Sequence, residues 1–198
     1  KSTMNYITQI DTELLLLING MHCDLLDSIM LICTNKRTWF PLYAVLLIIT
    51  VIKMRHHPRT LILFVLCIAA TIAISDQACG SVIRNIVGRM RPANPDNPIS
   101  GMIHIVNDYR SGRYGFPSCH AANTFALAFA LHYVWRNKWL NVGMFFWASL
   151  NCYTRIYLGV HYPGDIIAGA FIGFLVSSLI FSFIPWKKLH ETGKQECN

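Results

Sequence analysis

The stretch IIAGAFIGFLVSSLIFSFIPW, Ile166–Trp186, runs for 21 residues without an Asp, Glu, Lys or Arg. A helix that crosses the hydrocarbon core of a bilayer needs about 20 mostly apolar residues, so this stretch qualifies by itself. Toward the N-terminus, four more stretches lack these charges: Thr38–Ile52, Thr60–Ser75, Cys119–Trp135 and Trp139–Thr154. They are long enough if the polar residues at their ends lie in the headgroup layer. Across the 198 residues, 54% are hydrophobic and 14% charged, against roughly 25% charged in soluble proteins. One domain of this size has too little interior to hide five such helices from water. The expectation is an all-α fold, a single integral-membrane domain over residues 1–198, built as a polytopic helical bundle of about six transmembrane helices.

The net charge of +7 would suggest nucleic acid in a soluble protein, but here its distribution points to the bilayer instead. The basic residues gather in short connections: Lys53, Arg55, His56, His57 and Arg59, then Arg136 and Lys138, then Lys187, Lys188 and Lys194. Basic short loops mark the cytoplasmic side. The three groups fall on one side if every apolar stretch spans. Trp135, Trp139 and Trp186 lie beside these charges and Trp39 at the opposite end, as in an aromatic belt. Residues 5–33 are ambiguous. Ile7, Ile10, Leu14, Leu17 and Ile18 recur at helical spacing, yet Asp11, Glu13, Asp24 and Asp27 interrupt them. The stretch reads as a helix lying on the membrane or as a further span completed by Leu25–Cys33. Lys1–Met4 is set aside, and no cleavable signal pattern is expected. The seven cysteines form no CxxC, and their odd number argues against a full disulfide framework.

One long loop, residues 88–117, is expected on the extracytoplasmic side. It holds Pro92, Pro95, Pro98 and Pro117, and loops of this length are usually functional. The same topology delivers Arg84, Arg89 and Arg91, then Ser118 and His120, then Arg155, then His161 and Asp165 to that face. Ionisable groups at the membrane are costly and mark functional sites. Asp76, Asp96, Asp108 and Asp165 are too few to pair Arg84, Arg89, Arg91, Arg110, Arg113 and Arg155. A bound anion is the natural partner, because guanidinium forks match phosphate oxygens. Ser118 after Pro117 reads as a helix N-cap, whose free N–H groups would also face an anion. Asp165 lies four residues after His161, where a carboxylate fixes the imidazole tautomer and stabilises its cation. That leaves His161 as a nucleophile and His120 as a general acid.

These blocks resemble the type 2 phosphatidic acid phosphatase (PAP2) family, within the superfamily that includes vanadium haloperoxidases. The family pattern is Lys-x6-Arg-Pro, Pro-Ser-Gly-His and Ser-Arg-x5-His-x3-Asp. This chain has Arg84-x6-Arg91-Pro92, Pro117-Ser118-Cys119-His120 and Thr154-Arg155-x5-His161-x3-Asp165, in order, within about residues 60–185. The resemblance implies that Arg84, Arg91, Ser118 and Arg155 hold phosphate, with the backbone at Cys119 beside it. It further implies that His161 forms a phosphohistidine, that His120 protonates the leaving group and then activates water, and that Asp165 orients His161. It implies no metal and no cofactor. Three positions depart from the pattern: Arg84 for Lys, Cys119 for Gly and Thr154 for Ser. By analogy with the family, residues 5–33 form a span.

Two histidines and an aspartate could instead bind a metal, but the surrounding arginines would repel a divalent cation. Asp76 reads as a helix-packing carboxylate or as a partner that positions Arg84. His132 reads as a packing or hydrogen-bonding residue, and His56 and His57 as part of a basic turn. His22, His104 and His190 carry no signal. Arg110 and Arg113 are the candidates for reading the rest of the substrate, against a mobile solvated loop. The expected enzyme is a membrane lipid phosphatase in a bacterial cytoplasmic membrane, with its site on the extracytoplasmic side. Its partners are the bilayer and a lipid phosphate or diphosphate, with no nucleic acid. The small size leans toward undecaprenyl diphosphate. The alternatives are phosphatidylglycerophosphate, phosphatidic acid, the lipid A 1-phosphate, and a non-catalytic phospholipid-binding protein or transporter.

Overall fold

The computed structural model describes residues 2–186, with side chains from Tyr6 onward. Lys187, Lys188, His190, Lys194 and Cys197 lie outside the described residues. The chain is an all-α membrane helical bundle. Its helices are α1 (Ser2–Gly20), α2 (Asp24–Thr34), α3 (Phe40–Met54), α4 (Pro58–Gln77), α5 (Arg84–Val87), α6 (Cys119–Trp135), α7 (Lys138–Tyr157) and α8 (Pro163–Phe181). α4 runs into α5 through a π-helical turn, Ala78–Ile83, giving one helical rod of 30 residues. Gly88, at φ +60°, ends that rod in the left-handed conformation that favours glycine.

The lipid-facing surface is legible in α8. Ile167, Phe171, Leu175 and Leu179 recur every four residues and are exposed. Gly169, Gly173 and Ser177 occupy the opposite stripe and are buried. An added Cβ at Gly169 would lie 2.3 Å from the Ser118 carbonyl oxygen, and one at Gly173 would lie 2.3 Å from that of Ala122. The two glycines therefore let α8 and α6 approach at backbone distance, as small residues do in membrane bundles. α6 answers with alanine: Ala121, Ala122, Ala126, Ala128 and Ala130 are fully buried. It is the central helix, packed by α4, α7 and α8. This contact fixes Ser118 and His120, at the start of α6, against Asp165, at the start of α8.

Among the described residues, three helical stretches can cross a bilayer by length and composition: Lys36–Met54, Pro58–Val87 and Pro163–Phe181. α6 has 17 residues, and α7 carries Lys138, Asn141, Asn151 and Arg155; both fall short of that measure. The first segment is not one straight span. α1 and α2 meet at 114° and reach span length only as a bent pair. The expected six spans are thus not reached by this measure. The bend is built from polar contacts: buried Asn19 donates to the carbonyls of His104 (2.9 Å) and Tyr157 (2.7 Å) and accepts from the His104 N–H (2.8 Å). Asp27 accepts from the Tyr157 hydroxyl at 2.6 Å and pairs with His104 at 2.8 Å. At the other end, the Lys53 ammonium lies 4.7 Å from the Trp135 ring centroid, so the Lys53–Arg59 turn and the Arg136 turn share one end. Trp186 turns inward instead and packs on Phe64 and Phe181.

Candidate active site

The long loop is ordered rather than a mobile strand of solvent-facing chain. Its two ends pair: the Arg91 N–H donates to the Arg113 carbonyl at 3.0 Å, and the Gly115 N–H donates to the Arg89 carbonyl at 2.9 Å. The Ala93 N–H reaches the Gly159 carbonyl at 2.9 Å. Asn97 donates to the Arg91 carbonyl (3.1 Å) and the Tyr162 hydroxyl (3.2 Å). The loop is therefore sewn to the turn that carries His161. Gly115 sits where a Cβ would meet Arg91 Cγ at 3.0 Å and Asp165 Oδ2 at 3.1 Å. A side chain there would push these two groups apart.

His161 is buried in the turn between α7 and α8. Its Nδ1 lies 3.3 Å from Asp165 Oδ2. Its Nε2 lies 2.8 Å from Arg91 Nη1. A guanidinium only donates, so Nε2 is the acceptor and the proton sits on Nδ1, facing Asp165. The lone pair that a nucleophile needs is therefore on Nε2, where it accepts from Arg91. Burial pushes the imidazole well below its ordinary pKa, and the charges of Arg91, Arg155 and Arg84 act in the same direction. Burial likewise lowers Arg91 to about 10, helped by Arg155 and Arg84.

Asp165 is fully buried and serves three donors. Oδ2 also accepts from the Tyr162 N–H at 3.0 Å, which caps α8. Oδ1 pairs with Arg89 Nη1 at 3.0 Å. Arg89 continues to Asp11 Oδ2 at 2.6 Å and stacks on the Tyr162 ring at 3.7 Å. Asp11 Oδ1 accepts from the Gly164 N–H at 2.7 Å. A chain Asp11–Arg89–Asp165–His161 thus links α1 to the imidazole. The sequence reading missed Asp11 and gave Arg89 no separate role. The available signal was an acidic residue inside an otherwise apolar helical repeat.

The six arginines divide by partner. Arg89 pairs as described, Arg110 with Asp108 at 2.8 Å, and Arg113 with Asp96 at 3.8 Å. Among the described residues, Arg84, Arg91 and Arg155 have no carboxylate within 4 Å. These three are the arginines that the family resemblance assigns to phosphate, and all three act on His161. Arg84 Nη2 donates to the Pro117 carbonyl at 3.1 Å and to Cys119 Sγ at 2.9 Å. Arg155 Nη1 donates to Thr34 (2.6 Å) and the Tyr109 hydroxyl (2.7 Å). The buried Nε atoms of Arg84 and Arg155 have no acceptor. Buried donors are ordinarily satisfied, and an anion's oxygens are the kind of acceptor these two lack.

Ser118 is the N-cap of α6, its Oγ accepting from the Ala121 N–H at 3.4 Å. Its own N–H donates to the Asp165 carbonyl at 3.0 Å. His120, in the first turn, lines a cavity of about 400 Å³ with Thr34, Lys36, Asp76 and Asn123. Arg155, Lys36, His161 and Arg91 are the groups whose charge reaches it. The structure therefore brings His120, His161, Asp165, Ser118, Cys119 and the three arginines around one place. Arg110 is tied to Asp108 and to the Ala93 carbonyl at 2.6 Å, whereas Arg113 stays exposed beside Tyr114. Asp76 contacts Asn123 rather than Arg84, so the idea that it positions Arg84 is not supported by contact. His132 bonds Asn141 at 2.9 Å, as a hydrogen-bonding residue would. His104, which carried no sequence signal, pairs with Asp27 and stacks on His22 at 3.7 Å. Among the described residues, no cluster of three His, Cys, Asp or Glu could hold a metal ion.

An all-helical membrane bundle with paired histidines among carboxylate-free arginines defines a class, the membrane-embedded phosphate-ester hydrolases acting on lipids. The chain belongs to the PAP2 superfamily, whose sequence model matches residues 60–189. It is 46% identical over 184 residues to a lipid A 4'-phosphatase of Bacteroides thetaiotaomicron, covering 93% of this chain and 80% of that protein. It is 31% identical over 189 residues to an undecaprenyl-diphosphatase of Sulfolobus acidocaldarius, covering 91% and 83%. The crystal structure of Aquifex aeolicus LpxE shares the fold, with a TM-score of 0.62 at 22% identity, covering 87% of this chain and 94% of that one. The chain is an integral membrane lipid phosphatase.

Proposed function

We propose that this enzyme removes the 4'-phosphate of lipid A through a phosphohistidine at His161. The observation that carries the chemistry is the set of three arginines, Arg84, Arg91 and Arg155, left without carboxylates around a histidine whose Nε2 carries the lone pair and accepts from Arg91. The 46% relative supports the substrate. It displaces the sequence-based lean toward undecaprenyl diphosphate and the choice of the lipid A 1-phosphate. The undecaprenyl-diphosphatase relative, at 31%, favours the diphosphate as a second reading.

In this reading the phosphate displaces Arg91 from His161 Nε2 and takes hydrogen bonds from the three guanidiniums and the start of α6. Nε2 attacks phosphorus in line with the ester oxygen. The P–N bond forms as the P–O bond breaks, and His120 gives the departing oxygen its proton. Asp165 stabilises the imidazole as it gains positive charge. His120 then takes a proton from water, which attacks phosphorus and frees His161. No step calls on a metal ion. The site faces the extracytoplasmic side of a bacterial inner membrane, opposite the Lys53–Arg59 and Arg136–Lys138 turns. The test is phosphate release by the purified protein in detergent from lipid A, undecaprenyl diphosphate and phosphatidic acid, with and without chelator. Lipid A is expected to be turned over fastest and chelation to leave the rate intact. Full activity in His161→Ala would falsify the covalent route.

A further inference from the structure

One carboxylate at the site is unused by the phosphate chemistry. Asp76, on α4, lines the cavity beside His120 together with Asn123 and Lys36. Asn123 follows His120 by three residues on α6, so the two side chains share a face. Asn123 Nδ2 donates to Asp76 Oδ1 at 3.1 Å. Among the described residues, Asp76 has no Lys or Arg within 4 Å, and its Oδ2 accepts no hydrogen bond. A carboxylate is the wrong charge for a phosphate site, and an unpaired one near a membrane is costly unless it has a task. It lies on the wall shared with His120, the residue that would protonate the departing oxygen. On the phosphatase reading above, the leaving group lies in that cavity. The deeper wall is apolar, with Ile68, Ile72 and Leu127, and suits an acyl chain.

We propose that Asp76, held in place by Asn123, selects the leaving group: it accepts a hydrogen bond from a hydroxyl or N–H of an acylated sugar and repels a leaving group whose departing oxygen belongs to a phosphate. This rests on the phosphatase reading above and deepens it. A carboxylate only accepts, so it rewards a donor-rich amino sugar and gives nothing to a bare isoprenoid chain. Departing isoprenoid phosphate would bring a negative charge toward Asp76. Lys36, on the same wall, would attract that charge, and Asp76 opposes it.

The experiment measures kcat/KM of the full chain in micelles for wild type, Asp76→Ala and Asp76→Asn. The substrates are lipid A and undecaprenyl diphosphate, with soluble glucosamine 4-phosphate and phenyl phosphate as a second donor-bearing and donor-free pair. Asp76→Ala should lower kcat/KM on lipid A by roughly 10- to 100-fold, the effect of losing a hydrogen bond to a charged group, and raise it on undecaprenyl diphosphate. Asp76→Asn keeps an acceptor oxygen, so it should hold more of the lipid A activity while still gaining on the diphosphate. An equal fall on every substrate would mean a folding or positioning role and overturn the proposal. If wild type releases no phosphate from lipid A, the substrate reading fails by itself. Asp76 is then judged on the ratio of glucosamine 4-phosphate to phenyl phosphate, and a ratio unchanged by Asp76→Ala overturns it.

Discussion

Asp165→Asn separates the charge of Asp165 from its geometry. The carboxylate serves the Tyr162 N–H, His161 Nδ1 and Arg89 Nη1 at 3.0, 3.3 and 3.0 Å. An asparagine has one acceptor oxygen. Placed at the Oδ2 position, it still serves Tyr162 and His161, and its NH2 turns toward Arg89, which keeps Asp11. Arg91 still demands a lone pair at Nε2, so the tautomer survives. What disappears is the negative charge beside Nδ1. At an effective dielectric near 20, unit charges about 3.3 Å apart interact by roughly 5 kcal/mol. The imidazole holds only part of a positive charge at the transition state, and Arg89 already offsets part of the carboxylate. About half of that energy, ~2–3 kcal/mol, is at stake, which predicts a fall in kcat of roughly 30- to 200-fold. Rapid quenching with labelled lipid substrate should show phosphoenzyme formation slowed by the same factor. A loss below about fivefold, with the phosphoenzyme forming at the wild-type rate, refutes the pairing of Asp165 with a developing imidazolium.

Asp11→Ala removes the acceptor for Arg89 and Gly164 without touching phosphate, so kcat should fall by about tenfold, the effect of one charge-assisted bond, with KM nearly unchanged; a KM-only effect would contradict the relay from α1. His161 is held below its ordinary pKa by burial and then by Arg91, Arg155 and Arg84. Its neutral form therefore persists as pH falls through about 6.5, and the acid limb of kcat/KM due to this residue should lie below that value. The unfolded chain takes up the proton near pH 6.5 and the folded site does not, so this group makes stability fall on acidification below 6.5; both are read from pH profiles of rate and thermal midpoint. Gly169→Ala puts a methyl 2.3 Å from the Ser118 carbonyl, which should cost about 1–3 kcal/mol, lower the thermal midpoint in detergent and reduce activity with it. Arg84→Lys and Cys119→Gly should be markedly non-additive in kcat/KM, because one nitrogen of Arg84 bonds both Cys119 and the adjoining carbonyl.

The helices from Thr38 onward were legible because a bilayer demands long charge-free stretches, and the expected ranges match α3, α4, α6, α7 and α8 closely. The candidate site residues could be picked out because they sit at fixed spacings at the ends of those helices and in the adjoining loop and turn. Arg91 and Pro92, Ser118 and His120, and Arg155 through Asp165 each lie within one short segment. The first segment was not legible, for a physical reason. α1 and α2 are placed by single polar contacts of long range, Asn19 to Tyr157, Asp27 to His104 and Asp11 to Arg89. No local periodicity encodes such pairings, and the same acidic residues look like flaws in an apolar repeat. The loop was underrated likewise: its order comes from backbone bonds between residues 89–91 and 113–115, which leave no compositional trace.

Two departures from the family pattern make sense together. A lysine at position 84 would offer all its donors from one nitrogen. The guanidinium instead spends Nη2 on the Pro117 carbonyl and on Cys119 Sγ, and leaves Nε buried and, among the described residues, without an acceptor. Cys119 supplies the sulfur that anchors this fork, at a position where glycine would supply nothing. Gly80 lies beside that sulfur, where an added Cβ would meet Sγ at 3.5 Å, an ordinary van der Waals contact. Gly80 itself sits in the π-helical turn Ala78–Ile83, which sets the rotation of Arg84 about the helix axis. π-turns of this kind cluster at functional sites. Two departures are therefore coupled by contact, an arginine and the cysteine its fork reaches, at the end of one widened helical turn. Changing either residue back to the family one removes the reason for the other.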